Sequence, residues 1–395
     1  MKFGLDTTAA LLTAVGNPQT QFPTIHIGGT NGKGSTATLV AAALREKGLR
    51  VGLYTSPHLI SFRERMRVDG EDISEAAVAA WTAHLEPTIR ALDATFFEAT
   101  TAIALADFAA REVDIAVIEV GLGGRLDSTN VIRPLVSAVT HIALDHQRYL
   151  GDTLEEIARE KAGIAKPDVP FVIGEPDMGL ATTLVEAGEA AVRAANPAGV
   201  YLPVIVPPSE QWHGPLAMPG RHQRRNAAVA RAILDLLPAR LRPTPDAMAD
   251  AFAHARVAGR LDRRGRWLFD VAHNPDGVRS LTAALADLDL PRPVHALVSI
   301  LGDKAWPDML VELDRAVDLG VLTVAPSADQ RRWDLGWLER WLADPARPAA
   351  HARWRLIPAF DEALREVEEG AGTIVVTGSF HTVGDVLEAR GLPVA

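Results

Sequence analysis

The stretch Thr24-Ile-His-Ile-Gly-Gly-Thr-Asn-Gly-Lys-Gly-Ser35 carries the strongest chemical signal in the chain. A glycine-dense turn between a β-rich run and a helix-forming run can wrap successive backbone N–H groups around an anion. The helix dipole adds to the attraction. Gly29, Thr30, Asn31, Gly32, Lys33, Gly34 and Ser35 are therefore expected to cradle nucleotide phosphates. Lys33 would bring a point charge to the terminal phosphates, and the Ser35 hydroxyl suits a bound Mg²⁺. A glycine separates Lys33 from Ser35, which departs from the common spelling of such loops.

Other polar residues close apolar runs that read as strands. Ligands of α/β sheets gather at the carboxyl ends of strands, which singles out Ser56, Glu119, Asp145/His146 and Asp270/His273. Glu119 ends the apolar run Asp114–Val120. A carboxylate there needs a cation or a donor, and Mg²⁺ takes hard oxygen ligands while keeping water and substrate phosphate. Glu119 is thus the clearest metal candidate. His146 alone reads as a structural histidine. Lys161 reads as a residue on the polar–apolar border of an amphipathic helix that Thr153-Leu-Glu-Glu156 opens with a capping box.

The elements that must hold these residues alternate between strand-like and helix-like almost throughout. That pattern predicts an α/β fold with mostly parallel sheets. Strands are expected at 24–27, 50–56, 114–120, 135–144 and 170–174, with helices at 74–92, 98–111 and 227–237. The segment from Pro57 to Asp72 reads as a loop, and Glu175 to Pro219 shows little chemistry. A second αβ series has strands at 267–273, 293–300, 320–324, 353–357 and 373–377. The boundary is expected at Gly259-Arg260, giving an N-terminal domain 1–258 and a smaller C-terminal domain 259–395.

A chain of 395 residues exceeds one ordinary core, so two domains are expected. The net charge of −10 argues against nucleic-acid binding. Basic clusters stand at Arg63/Arg65/Arg67, Arg221/Arg224/Arg225 and Arg260/Arg263/Arg264/Arg266, and such clusters are usually solvated faces. The absence of cysteine excludes disulfides, zinc-thiolate sites and a cysteine nucleophile. The N-terminal run Met1–Thr8 lacks a signal-peptide pattern, and no apolar run reaches membrane-spanning length. The expectation is a cytoplasmic, monomeric enzyme acting on small molecules.

An ordered set of motifs narrows this further. Gly29-Thr-Asn-Gly-Lys-Gly-Ser35, Tyr54-Thr-Ser-Pro-His-Leu59, Phe97-Glu-Ala-Thr100 and Glu119-Val-Gly-Leu-Gly-Gly-Arg-Leu-Asp127 come first. Leu144-Asp-His146, Glu160-Lys-Ala-Gly-Ile164, Gly259-Arg-Leu261 and Asp270-Val-Ala-His-Asn-Pro275 come after them. Together they resemble the folylpolyglutamate synthase/dihydrofolate synthase family, relatives of the Mur ligases. The resemblance implies an N-terminal ATP-binding domain with a phosphate loop and a smaller Rossmann-like C-terminal domain. It also implies that ATP phosphorylates a pteroate or folate carboxylate, which the amino group of L-glutamate then attacks.

Carried over by position, the resemblance assigns the loop and Lys33, together with Asn226, Arg260 and Asp270, to ATP. Ser56 and Glu119 would bind one Mg²⁺, and Glu119 and His146 a second. Lys161 matches a lysine that becomes carbamylated, and His273 joins Lys33, Glu119, His146 and Lys161 as a catalytic candidate. His58, Phe97 and Asp127 would meet the substrate. The alternatives are a Mur-type ligase acting on a cell-wall precursor and a non-catalytic nucleotide-binding regulator. Mur ligases usually carry a UDP-binding domain before the phosphate loop, for which Lys33 stands too near the start. Val257-Ala258 and Gln147-Arg148 depart from the family's usual spelling.

Overall fold

The computed structural model describes residues 4–344 and 351–394, so the first three residues of the N-terminal run lie outside it. The chain divides into two compact units. One joins Met1–Ala217 with Gln223–Ala255, and the other joins Met218–His222 with Arg256–Ala395.

The first unit is built on eight strands: β1 (Thr24–Gly28), β2 (Val51–Tyr54), β3 (Met66–Val68), β4 (Glu71–Asp72), β5 (Ile115–Glu119), β6 (Val136–Val139), β7 (Pro170–Ile173) and β8 (Leu202–Ile205). They form one sheet in the order β4-β3-β2-β5-β1-β6-β7-β8. The pairs from β2 to β8 are parallel, and β3 and β4 add an antiparallel edge. β1 and β5 are buried along their whole length, as parallel strands covered by helices must be. One apolar cluster around Leu12, Phe108 and Ile118 includes residues of the helices Asp6–Ala14 and Phe96–Ala110. A second, around Ile157, Phe171 and Leu184, includes residues of the helices Leu154–Ala162 and Met178–Ala195.

The second unit carries β9 (Asp262–Arg264), β10 (Trp267–Phe269), β11 (Val294–Val298), β12 (Leu319–Leu322), β13 (Arg353–Leu356) and β14 (Thr373–Thr377). Their order is β13-β12-β11-β14-β10-β9, parallel except for the β10–β9 pair. The expected α/β class with mostly parallel sheets is therefore what the chain forms. Among the described residues, no helix is long and apolar enough to cross a membrane.

Several local expectations are corrected. The end of the Pro57–Asp72 loop folds as the β3–β4 hairpin. The quiet region after Glu175 contains an 18-residue helix, Met178–Ala195, opened by Asp177 accepting the N–H of Leu180 at 3.0 Å. The helix expected from Ala227 starts at Arg221. The strand expected over 135–144 stops at Val139, because from Thr140 the chain leaves the sheet to hold the phosphate loop. Thr140 Oγ1 donates to the carbonyls of Gly28 (3.2 Å) and Asn31 (2.7 Å).

Candidate active site

The phosphate loop begins at the carboxyl end of β1 and enters the helix Lys33–Glu46 at Gly32. Gly32 is left-handed, with φ 88°, a conformation that costs glycine little. A Cβ there would lie 2.5 Å from Asn226 Oδ1, so the predicted nucleotide residue Asn226 abuts the loop. At Gly29 a Cβ would collide with Thr140 Oγ1. The backbone is pinned by Thr30 N–H donating to the His141 carbonyl (2.6 Å). Thr30 Oγ1 is also bridged to the carbonyl and N–H of Ala143 (3.2 and 3.1 Å). No side chain caps the helix N-terminus, which leaves its first-turn donors aimed at the loop. Lys33 Nζ curls over the loop and donates to the carbonyls of Gly29 (3.1 Å) and Thr30 (3.0 Å). Ser35 is buried in the first turn of the helix.

β5 delivers Glu119 to this loop. Its Oε2 accepts the Ser56 N–H at 3.1 Å and would lie 3.6 Å from a Cβ on Gly34. The end of β2, the end of β5 and the loop after β1 thus bring Ser56, Glu119 and the phosphate loop together. These hard-oxygen groups beside a phosphate cradle fit Mg²⁺. Among the described residues no three His, Asp or Glu side chains form a ready-made metal cage. Mg²⁺ commonly uses one or two carboxylates, with water and phosphate completing its shell. His146, left-handed at φ 53°, follows buried Asp145, and its Nε2 lies 3.8 Å from Asp145 Oδ1.

Lys161 does not lie on a polar border; it is buried. The glycine-rich loop after β5 covers its helix. A Cβ on Gly124 would lie 2.7 Å from the Glu160 carbonyl and 2.8 Å from that of Lys161. Arg125 donates its N–H to the Glu160 carbonyl (2.9 Å) and pairs with the Glu160 carboxylate (2.7 Å). Asn130 Nδ2 bonds the carbonyls of Arg125 (2.9 Å) and Gly163 (3.2 Å). Two motifs far apart in sequence therefore interlock. Burial, helped by the Lys33 ammonium, pulls the Lys161 amine down to about 7, against the carboxylates of Asp145 and Asp127.

Asp127 is buried and accepts the N–H groups of Leu122 (2.8 Å) and Thr129 (3.0 Å) as well as the Thr129 hydroxyl. Burial pushes its carboxyl upward against those donors. Phe97 packs where a Cβ on Gly121 would stand, with its ring 6.1 Å from that of Tyr54. His58 Nδ1 accepts from Arg65 Nε at 2.9 Å. The loop behind it is wound onto buried Glu64, which takes the N–H groups of Leu59, Ile60 and Ser61 at 2.9, 2.9 and 2.6 Å.

On the second unit, Arg260, Asp270 and His273 form their own group. Asp270 accepts the N–H groups of Leu261 and Ala272, both at 3.0 Å, and burial raises its carboxyl while the Arg260 charge opposes this. Phe380 lies 5.5 Å below the Arg260 guanidinium and 5.6 Å from the His273 ring.

Sequence reading missed one buried network. His26, inside β1, shares a 2.8 Å hydrogen bond with Thr129 Oγ1, which in turn holds Asp127. Burial drops the His26 imidazole to about 3, with Lys166 adding to the fall, so it stays neutral. A polar residue inside an otherwise apolar strand was the available signal. The basic cluster at Arg225 is structural, for its guanidinium binds the carbonyls of Gly174, Val206, Pro207 and Glu210.

Comparison with known proteins identifies the family of both halves of the chain. Residues 27–234 match the Mur ligase middle domain, and residues 255–380 match the Mur ligase glutamate ligase domain. The chain is 35% identical to a folylpolyglutamate synthase of Lacticaseibacillus casei, covering 95% of this chain and 92% of that protein. It is 34% identical to an Escherichia coli dihydrofolate synthase/folylpolyglutamate synthase, covering 92% and 85%. It spans only 48% of a longer Haloferax volcanii relative, a probable bifunctional folylpolyglutamate synthase/dihydropteroate synthase, at 34% identity and 98% of this chain. Among solved structures, E. coli FolC in complex with DHPP and ADP superposes with a TM-score of 0.85 at 30% identity, covering 99% of this chain and 94% of that one. The Yersinia pestis bifunctional folylpolyglutamate synthase/dihydrofolate synthase complexed with AMPPNP and Mn ion gives 0.84 at 30%, with the same coverage.

Proposed function

Because this chain belongs to the folylpolyglutamate synthase/dihydrofolate synthase family of Mur-type ligases, we propose that it joins L-glutamate to dihydropteroate, reduced folates or both through an acyl phosphate. It is an ATP-dependent ligase of folates. The observation that carries the assignment of residues is the phosphate loop with Glu119 against Gly34 and Asn226 against Gly32.

A carboxylate is a poor electrophile, and phosphorylation gives it a good leaving group. The acceptor carboxylate oxygen attacks the γ-phosphorus of ATP and ADP departs. The amine of glutamate then attacks the acyl carbon, expels phosphate and gives up a proton. Lys33 and the loop N–H groups hold the β- and γ-phosphates in line for the first step. Ser56 and Glu119 would hold one Mg²⁺, and Glu119 and His146 a second, and the bound ions would neutralise charge on the phosphoryl oxygens. Asn226 is assigned to ATP on the first unit; on the second unit Arg260 and Asp270 are assigned to ATP, and His273 shares the Phe380 ring with Arg260. His58, Phe97 and Asp127 face the folate.

Lys161 takes CO₂ as a carbamate in this reading. Its amine, depressed from 10.5 to about 7, is neutral in a sizeable fraction of molecules near neutrality, and only the neutral amine reacts. The product turns a cation that repels metal into an anion that supports it. The ATP-binding domain is assigned to 1–258 and the ligase domain to 259–395, and the protein to the cytoplasm.

The test is product formation from ATP, Mg²⁺ and L-glutamate with dihydropteroate and tetrahydrofolate in parallel. Glutamylation of either supports the reading, and both together identify a bifunctional enzyme. Failure of both, with ATP still bound, refutes it.

A further inference from the structure

Three arginines alternate along Arg63–Arg67, and the structure treats them differently. Arg63 lies 3.8 Å from Glu75, and Arg67 pairs with Asp72 at 2.7 Å. Arg65, between them, is only 9% exposed, yet pairs with no carboxylate among the described residues. Its neighbour Glu64 acts on it only through space, because that carboxylate is turned to three backbone N–H groups and makes no ion pair with the guanidinium. The Nε of Arg65 is used by His58 Nδ1. Its two Nη groups make no hydrogen bond among the described residues and are not sealed from water, so both still reach solvent.

A buried cation that no carboxylate contacts directly is costly, and such charges are normally paired. Guanidinium stays protonated in proteins, and its fork matches a carboxylate with two parallel N–H···O bonds. The surroundings narrow the partner. The Phe96 ring lies 5.4 Å from the Arg65 guanidinium and is itself 60% exposed, with its edge supported by Phe62 at 5.6 Å. The charge of Glu119, which reaches the phosphate loop, also acts on Arg65. An open forked donor, an exposed aromatic face and a phosphate loop within electrostatic range suit an aromatic carboxylate about to be phosphorylated.

We propose that Arg65 is a specificity-determining residue that binds the reacting carboxylate of the pteroate-type acceptor through its free Nη groups, with Phe96 beside the ring that bears it. The proposal rests on the folate-ligase reading. Holding the carboxylate on a cation lessens its repulsion from the γ-phosphate. The same donors remain on the acyl oxygen when the glutamate nitrogen adds to the acyl carbon, where negative charge develops.

The test measures direct binding of 7,8-dihydropteroate and of its carboxamide, which lacks the charge, to the wild type and to Arg65→Met and Arg65→Lys. The wild type should prefer the carboxylate. Arg65→Met should weaken carboxylate binding about 30-fold or more, as expected for truncating one partner of a buried charge pair. It should leave carboxamide and AMPPNP binding within about twofold, and Arg65→Lys should recover part of the preference. Equal weakening of both pteroate ligands would overturn the proposal in favour of a structural role. Loss confined to AMPPNP would overturn it in favour of phosphate binding. If the wild type binds neither pteroate ligand, the folate reading itself fails, whatever Arg65 does.

Discussion

Replacing Lys161 by methionine removes an ammonium from a buried position and leaves a side chain of similar length. Burial and the Lys33 charge lower this amine from 10.5 to about 7 in the folded protein. In the unfolded chain it keeps its ordinary value. Between those two values the unfolded state binds more protons than the folded state, so stability rises with pH. Below the folded value both states hold the proton and the dependence flattens. Each unit is worth about 1.4 kcal/mol. Summing the linkage from about pH 7 to about pH 9, the wild type should gain roughly 2 kcal/mol that Lys161→Met does not gain. The variant should also be the more stable protein near neutrality, where the wild type carries a half-protonated buried amine. Urea unfolding of both proteins in CO₂-free buffer, without nucleotide or Mg²⁺, reads this directly as diverging midpoints. Parallel midpoints across that range would refute the argument, because they would mean the ammonium is solvated or fully compensated in the folded state. Loss of ligation in Lys161→Met alongside higher stability is the expected signature of a group kept for chemistry at the expense of the fold.

Two other perturbations test the geometry. Lys33→Ala and Glu119→Ala should each reduce ligation by at least about 100-fold while the thermal midpoint stays near the wild type, since each removes charge from the reacting phosphates; turnover near the wild type in either would remove it from the site. Gly124→Ala places a methyl group against the carbonyls of Glu160 and Lys161. It should therefore cost about 1–3 kcal/mol in chemical denaturation and lower kcat more than it raises KM for ATP, because it displaces the helix of Lys161 and leaves the phosphate loop untouched.

Much of the site was legible in the sequence. The phosphate loop is local by nature, since strand, glycines, lysine and helix start are contiguous and need only backbone physics to cradle an anion. The place of Glu119 was legible for a similar reason: a carboxylate closing an apolar parallel strand stands at the sheet's carboxyl edge, where the phosphate loop also begins. The two αβ series, and with them the parallel sheets, came from hydrophobic patterning. The helix Met178–Ala195 was not legible in the same way, because its Ala-rich amphipathic run carries no reactive group to mark it.

What the tertiary structure alone decided are relations between distant segments. No local pattern shows that Lys161 is buried, because its burial comes from the loop around Gly124, which reaches its helix only after the strands pair. His26 holds Asp127 through Thr129, which lies 103 residues along the chain from it. Among three alternating arginines, composition makes them equal. Only the fold gives Glu75 and Asp72 to two of them and leaves Arg65 buried with open donors. Motifs written along the chain fix which groups are available; burial and pairing, which arise from contacts between distant residues, fix what charge each one carries and what it is free to bind.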